Sequence, residues 1–372
     1  MIDRTIPTAQ ITALLQRVEP TWAVESATPA EDGHHVVYFL DVATPEGERE
    51  CVLKAPRPDQ ESACDDEARL LAILEAHTDL PVPAVLGVVD DAALGDDAAL
   101  GDDAALGDDA DLPTPAFLTS VLPGRNDSRT ALAAYTPDQV TALAHSTGRH
   151  LAALHRLDAV DGYGFVDVDP REPLDGGRPS TDPSQITVSD PTESWTEYLR
   201  GEVDRLGDHL AGTRFADCRE MVLPEIDARI ADLDGPFDPV LARIDHSLDN
   251  SLVDPETGRV TGLLDWEFCV AATPAYDLAF VEYSLVGGHW RLLPEGPDHT
   301  ETIREALLAG YETAGPDRVV DQFRANRECY TLLVRAHEMA NFAAWFEGVG
   351  ASFEHRRDEA ARRLRAELEE RC

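Results

Sequence analysis

Leu241–Glu267 reads LARIDHSLDNSLVDPETGRVTGLLDWE, and the interpretation of this stretch decides the fold. Three polar side chains stand apart inside otherwise apolar, strand-like sequence. They are Asp245, Asn250 five residues later, and Asp265 at the end of Val260-Thr261-Gly262-Leu263-Leu264. Asp254-Pro255-Glu256-Thr257-Gly258 has turn composition, with Pro near its start and Gly at its end. Residues 250–253 and 259–264 are therefore expected to pair as a hairpin, which returns Asn250 and Asp265 to the same end. Two readings compete. The polar residues punctuate turns, or they are two oxygen ligands and a third carboxylate, the set that a Mg²⁺–phosphate site needs.

Working outward to the N-terminal side, the strand-like run Val52-Leu53-Lys54-Ala55 carries the sole lysine of the chain. A residue used once is not part of a general solubilising set, although a strand-edge charge is the plain alternative. Thirteen residues on, Glu67 falls in a helical stripe with Ala63, Leu70, Leu71 and Leu74. A carboxylate in an inward-facing stripe is costly unless paired, and Lys54 on the preceding strand is the obvious partner.

Composition narrows the function classes. The chain has 372 residues, with 31 Lys+Arg against 71 Asp+Glu and a formal charge of −40. Nucleic-acid binding is disfavoured, because phosphate backbones need basic surface. The acidity suits a cationic substrate, or a salt-rich cytoplasm such as that of a halophilic archaeon. The second reading is preferred because the acids are spread along the chain and nearly every base is Arg. Six cysteines form no C-x-x-C pair and have no His at metal-ligand spacing, so they read as reduced cytoplasmic thiols. No apolar run approaches the ~18 residues of a membrane span, and the N-terminus has no apolar signal core.

The order of elements implies an α+β fold. A helix at 8–17 precedes strands at 22–25, 35–42 and 49–55, a helix at 59–77, and strands at 80–89 and 116–121. The 26–34 connection sits where a phosphate-covering loop belongs, but has one Gly and two acids. Asp-Asp-Ala-Ala-Leu-Gly repeats three times from Asp90 to Gly107; this acidic insert, residues 90–111, cannot build a core and reads as an extended loop. After Leu122-Pro123-Gly124-Arg125 helices dominate, at 137–157, 194–210, 219–233, 274 onward, 300–314, 319–346 and 354–371. Residues 158–191 read as a long loop, and the last helix as a solvated Arg/Glu face. The domain boundary is expected at 122/123. His155 reads as a structural residue at a helix end rather than a catalyst.

Taken together, a strand Lys, an inward helix Glu, an Asp, an Asn five residues on and a strand-end Asp form the part list of phosphoryl transfer in protein-kinase-like folds. The chain resembles the aminoglycoside phosphotransferase / choline kinase family of small-molecule kinases from about Ala23 to Ala279. Arg243-Ile244-Asp245-His246-Ser247-Leu248-Asp249-Asn250 stands where that family has His-Gly-Asp-x-x-x-x-Asn, and Gly262-Leu263-Leu264-Asp265-Trp266-Glu267 is similar to its Ile-Asp-Trp/Phe-Glu segment. Pro274 to Ala279 resembles its Pro-x-x-Asp-Leu-Ala segment; Leu80-Pro81-Val82-Pro83, Leu122 to Arg125 and Leu154-His155 also fit.

The resemblance implies a bilobal fold. Residues 1–122 would be a nucleotide-binding lobe with a five-stranded antiparallel sheet and one main helix; residues 123–372 would be a mostly helical catalytic and substrate-binding lobe. It implies ATP and Mg²⁺, with Asp245 as catalytic base, Asn250 and Asp265 as metal ligands, Lys54 and Glu67 positioning the phosphates, and Asp277 beneath the catalytic loop. Arg243 replaces the usual His, the phosphate loop lacks its glycines, and the acidic insert is not a family feature. The expected activity is ATP-dependent phosphorylation of a hydroxyl on an amino sugar, aminoglycoside-like compound, amino alcohol or sugar. A catalytically inactive nucleotide or ligand binder is the alternative. Trp195, Tyr198, Glu338, Phe342 and Trp345 are acceptor-site candidates by location.

Overall fold

A computed structural model describes residues 5–30, 35–57, 64–90, 112–127, 129–169, 174–293, 297–346 and 354–372. The chain divides into two compact units. One comprises 1–123 with 167–186 and 264–267; the other comprises 124–166, 187–263 and 268–372. The expected strand at the start of the acidic insert ends at Val89, and residues 91–111 of the insert lie outside the described residues.

The first unit is built on a five-stranded antiparallel sheet of order β1-β2-β3-β5-β4. Its strands are β1 (Ala23–Pro29), β2 (Val36–Thr44), β3 (Gly47–Ala55), β4 (Val85–Val89) and β5 (Ala116–Ser120). Strand β2 alternates in burial, so Val36, Tyr38, Leu40 and Val42 face the core. They pack with Cys51, Leu53 and Ala55 of β3 and with Ile11, Leu14 and Leu15 of helix α1 (Thr8–Val18). Helix α2 (Cys64–His77) buries Leu70, Leu71, Ile73 and Leu74 and packs on β4 and β5. Lys54 pairs with Val37 on one side and with Phe117 on the other, so its side chain leaves the sheet on the face opposite the α1 core.

The second unit is mostly helical. Helix α3 (Pro137–Leu154) starts in a capping box between Thr136 and Gln139 and buries Val140, Leu143, Thr147, Leu151 and Leu154. Helices α4 (Trp195–Ala211) and α5 (Arg219–Ala231) pack on each other. Helix α6 (Pro274–Leu285) packs on α8 (Asp317–Phe346), and α7 (Thr300–Glu312) on α3. Three short strands, β6 (Arg125–Asn126), β10 (Ser251–Val253) and β11 (Val260–Leu263), form a sheet of order β11-β10-β6.

Three expectations change. Residues 158–191 are not one loop: β7 (Tyr163–Val168) and β8 (Ile186–Thr192) lie within them. They join β9 (Val240–Ala242) and β12 (Val270–Ala272) in a sheet of order β8-β7-β12-β9. Gly, Pro and Asp around these strands mask them in the sequence, yet Gly164 is what allows β7 close to β8, since a Cβ there would sit 2.8 Å from the Ser189 carbonyl oxygen. The 26–34 connection is shorter than expected, because β1 continues to Pro29; proline is tolerated there because β1 is an edge strand. The last helix, α9 (Glu354–Arg371), is not simply a solvated face. Ala360, Ala361, Leu364 and Leu368 are buried along one side of it.

Helices α3 and α7 cross at two glycines. A Cβ on Gly148 would run into the Leu307 carbonyl, and one on Gly310 into the His145 carbonyl. Because backbone cannot yield as a side chain can, Gly148→Ala is expected to destabilise the protein by about 1–3 kcal/mol. Denaturant titration at equilibrium checks this, with an exposed Gly212→Ala as the control that leaves the midpoint nearly unchanged.

Candidate active site

In the first unit, the Lys54 ammonium donates to Glu67 Oε2 at 2.5 Å and to Asp265 Oδ1 at 3.2 Å. The second oxygen of Glu67, Oε1, accepts from the Trp266 amide at 3.2 Å. One buried carboxylate thus ties the strand lysine to the segment that carries Asp265. Asp265 has φ +61°, a left-handed conformation that Asp tolerates better than most side chains. Burial works against charge on Lys54, but the carboxylates of Glu67, Asp265 and Glu267 overcome it and hold the ammonium above its ordinary range.

In the second unit, β9 runs directly into Arg243-Ile244-Asp245, which closes a γ-turn: the Asp245 amide donates to the Arg243 carbonyl at 2.7 Å. Ile244 at its centre has φ +66°, a costly conformation for a β-branched residue. The fully buried Asp277 of α6 holds it, with Oδ1 accepting from the Ile244 amide at 3.0 Å. Its other oxygen, Oδ2, lies 3.0 Å from His155 Nε2, and His155 Nδ1 lies 3.0 Å from the Tyr311 hydroxyl. His155 therefore braces Asp277. Burial opposes charge on Asp277, yet the His155 hydrogen bond leads the interactions that keep its carboxyl below the usual range.

The Asp245 carboxylate is itself oriented. Oδ1 accepts from the Ser247 amide at 3.0 Å and Oδ2 from the Asn250 side-chain amide at 3.2 Å. With its nitrogen turned to Asp245, Asn250 keeps its amide oxygen as the end that can ligate. Asn250 ends a 3-10 turn and immediately precedes β10, whose Ser251 pairs with Leu263 of β11. Arg243 is buried; it donates to the Asn250 carbonyl at 2.9 Å and lies 3.3 Å from His246 Nδ1. It thus cross-links the two ends of the turn between Asp245 and Asn250, a role in which a planar, multi-donor guanidinium serves well. Burial, then the Arg243 charge, push the His246 imidazole down to about 3.

The structure brings Lys54, Glu67 and Asp265 together in the first unit, and Asp245 and Asn250 together in the second. Among the described residues, no three His, Cys, Asp or Glu side chains could hold a metal by themselves. Of the acceptor candidates named by location, Trp195, Tyr198, Glu338 and Phe342 lie in the interior. Trp195 is buried, donates to the Tyr330 hydroxyl at 3.1 Å and stacks on Tyr198. Glu338 is fully buried against Arg291 at 2.6 Å, and Phe342 packs edge-on against Phe215. The side chain of Trp345 lies outside the described residues.

One group escaped the sequence reading. Val37, Phe39 and Val52 share the sheet face of Lys54, and Phe39 is 50% exposed. Val36-Val37-Tyr38-Phe39-Leu40 is apolar on both faces, although only one face meets the α1 core. An unbroken apolar run in an otherwise half-exposed sheet was the available signal.

A strand lysine paired to a helix glutamate, beside a strand-end aspartate, and an oriented aspartate–asparagine pair on a braced turn define a kinase-like phosphotransferase. Residues 26–321 match the family described as Phosphotransferase enzyme family (APH), and the chain belongs to that family. A microcompartment-associated aminopropanol kinase is 18% identical, with 94% of each chain covered and a TM-score of 0.57. APH(2")-IIIa, in its complex with GDP and kanamycin, is 13% identical over 97% of each chain, with a TM-score of 0.56. An ethanolamine kinase of Plasmodium vivax is 12% identical over 93% of this chain and 81% of its own, with a TM-score of 0.52. These likenesses establish the protein-kinase-like α+β fold. Comparison with curated proteins gave no match. Among the described residues no helix is long and apolar enough to cross a membrane.

His246 supplies a pH prediction. Its folded value of about 3 lies below the ordinary 6.5, so the unfolded chain takes up the proton more readily. The stability that the neutral imidazole contributes is complete above pH 6.5 and is lost as pH falls toward 3. Thermal midpoints measured from pH 7.5 down to 4 should therefore decline, and His246→Asn should flatten the decline while lowering the whole curve. An unchanged slope would rule this group out as a source.

Proposed function

We propose that the chain transfers the γ-phosphoryl group of ATP to a hydroxyl of a small molecule that also carries an amine. The observation that carries this reading is the sole lysine of the chain, held by hydrogen bonds to both Glu67 and Asp265. Lys54 would bind the α- and β-phosphates, with Glu67 fixing its direction. Val37, Phe39 and Val52, on the same sheet face, offer an apolar surface for the nucleoside base. Asn250, through its amide oxygen, and Asp265, through its carboxylate, are the residues that would hold Mg²⁺; both are hard oxygen donors, as that ion requires. Bound Mg²⁺ supplies charge neutralisation on the phosphate oxygens.

Asp245 would accept the proton of the attacking hydroxyl. As the new P–O bond forms, the bond from the γ-phosphorus to the β–γ bridging oxygen breaks, and ADP leaves with that electron pair. The Ser247 amide and the Asn250 side chain keep the carboxylate of Asp245 in one orientation for this step. Arg243, committed to the Asn250 carbonyl and the His246 ring, supports the turn in this reading rather than silencing it.

Amine-bearing alcohols are proposed as the acceptor class because the structural relatives include an aminopropanol kinase, an ethanolamine kinase and a protein in complex with GDP and kanamycin.

Asp245→Asn should lower the transfer rate by about 10²–10⁴-fold while Mg·ATP still binds. Lys54→Ala should chiefly raise the KM for ATP. Both are checked by following ADP release in molar KCl against a panel of amino alcohols, amino sugars, sugars and aminoglycosides, with GTP run beside ATP. Turnover indifferent to Asp245 would overturn its role as the base, and ATP binding without any transfer across the panel would favour an inactive binder.

A further inference from the structure

The sequence between β1 and β2 carries a single glycine, Gly33, and so differs from a glycine-rich phosphate loop. The first unit has another device at the same hairpin. His35, immediately before β2, is buried, and its Nε2 meets Glu267 Oε2 in a short contact. Glu267 is also little exposed, at 16% of its side chain. Three consecutive residues of one short segment are thereby held by three different elements. Asp265 is held by Lys54 of β3, Trp266 through its amide by Glu67 of α2, and Glu267 by His35 at the start of β2.

Two features require such an anchor. Asp265 sits at positive φ, and a non-glycine residue stays there only when its surroundings over-determine the backbone. The Lys54 ammonium also faces an excess of negative charge from Glu67, Asp265 and Glu267. A Glu267 side chain released from His35 would be available to Lys54 and would compete with phosphate for the same N–H donors. The sequence offers a reason for histidine at this place: in a chain with a single lysine, a compact ring donor can hold a carboxylate without a second flexible ammonium beside the first.

We propose that His35 is a positioning residue for the phosphoryl donor. It holds Glu267 aside and, through it, sets Asp265 against Lys54. The inference rests on the reading of Lys54 as the phosphate-binding lysine.

The test compares His35→Ala, His35→Gln, Glu267→Gln and the double variant His35→Ala/Glu267→Gln with Lys54→Ala. For each, the KM for ATP, the KM for the acceptor, kcat and the thermal midpoint are measured. His35→Ala should raise the KM for ATP about ten-fold, leaving the KM for the acceptor unchanged. His35→Gln, which restores an N–H donor, should recover most of that loss. Adding Glu267→Gln to His35→Ala should also recover it, because the uncharged amide competes poorly for Lys54. Wild-type ATP kinetics in His35→Ala overturn the proposal. So does a loss that neither second change relieves and that follows the thermal midpoint, since that marks a purely structural contact. If Lys54→Ala itself leaves the KM for ATP unchanged, the parent reading fails; if only the His35 variants are silent, this inference alone fails.

Discussion

Much of the second unit is arranged around one hydrogen bond, from the Ile244 amide to the buried carboxylate of Asp277. It holds a β-branched residue at positive φ, in the γ-turn that aims Asp245. A charged group with no solvent must be matched on both oxygens, and it is: the backbone takes one and His155 the other. Tyr311 of α7 in turn meets the far nitrogen of His155. Three helices therefore converge on one strained turn. The close α3–α7 crossing at Gly148 and Gly310 is what allows His155 and Tyr311 to meet. Packing, cap and turn form a single chain of dependence that ends at the Asp245 carboxylate.

The first unit solves a different problem with the same economy. A chain of net charge −40 must keep a cationic spot from being swamped by its own carboxylates. It does so by burying one ammonium between partners whose other atoms are already engaged. Glu67 spans Lys54 and the Trp266 amide, and Glu267 is taken by His35. Buried pairs are screened by salt far less than exposed ones, so the arrangement tolerates ionic strengths that would erase surface attraction.

The fold was legible where periodicity was strong. The antiparallel strands of the first unit and the stripe of α3 follow directly from alternation and 3.6-residue spacing. Strands β7 and β8 were not legible, because a pairing that depends on Gly164 for close approach leaves a loop-like composition behind. The buried side of α9 was hidden for a similar reason: two alanines and two leucines carry it among many charges. Within the candidate site, Lys54, Glu67, Asp245, Asn250 and Asp265 stood out because each is polar in an apolar context. His35 and Arg243 did not reveal their roles. Their partners lie 232 and up to seven residues away, and nothing in local sequence states that a histidine before a strand meets a glutamate so distant. Trp195, Tyr198, Glu338 and Phe342, named as acceptor candidates by location, are buried instead, since large aromatic side chains picked by position alone are commonly core.

The central claim is that Lys54 binds the phosphoryl donor and Asp245 accepts the proton of the attacking hydroxyl. A double-mutant cycle on kcat/KM, from Lys54→Ala, Asp245→Asn and their combination, tests it most directly. Groups with separate roles, donor binding and proton acceptance, lose their effects independently. The account predicts that the double variant loses the product of the two single factors, with the Lys54 share carried by the KM for ATP. A variant at either position that keeps wild-type transfer, or a Lys54→Ala loss that vanishes in the Asp245→Asn background, would contradict it.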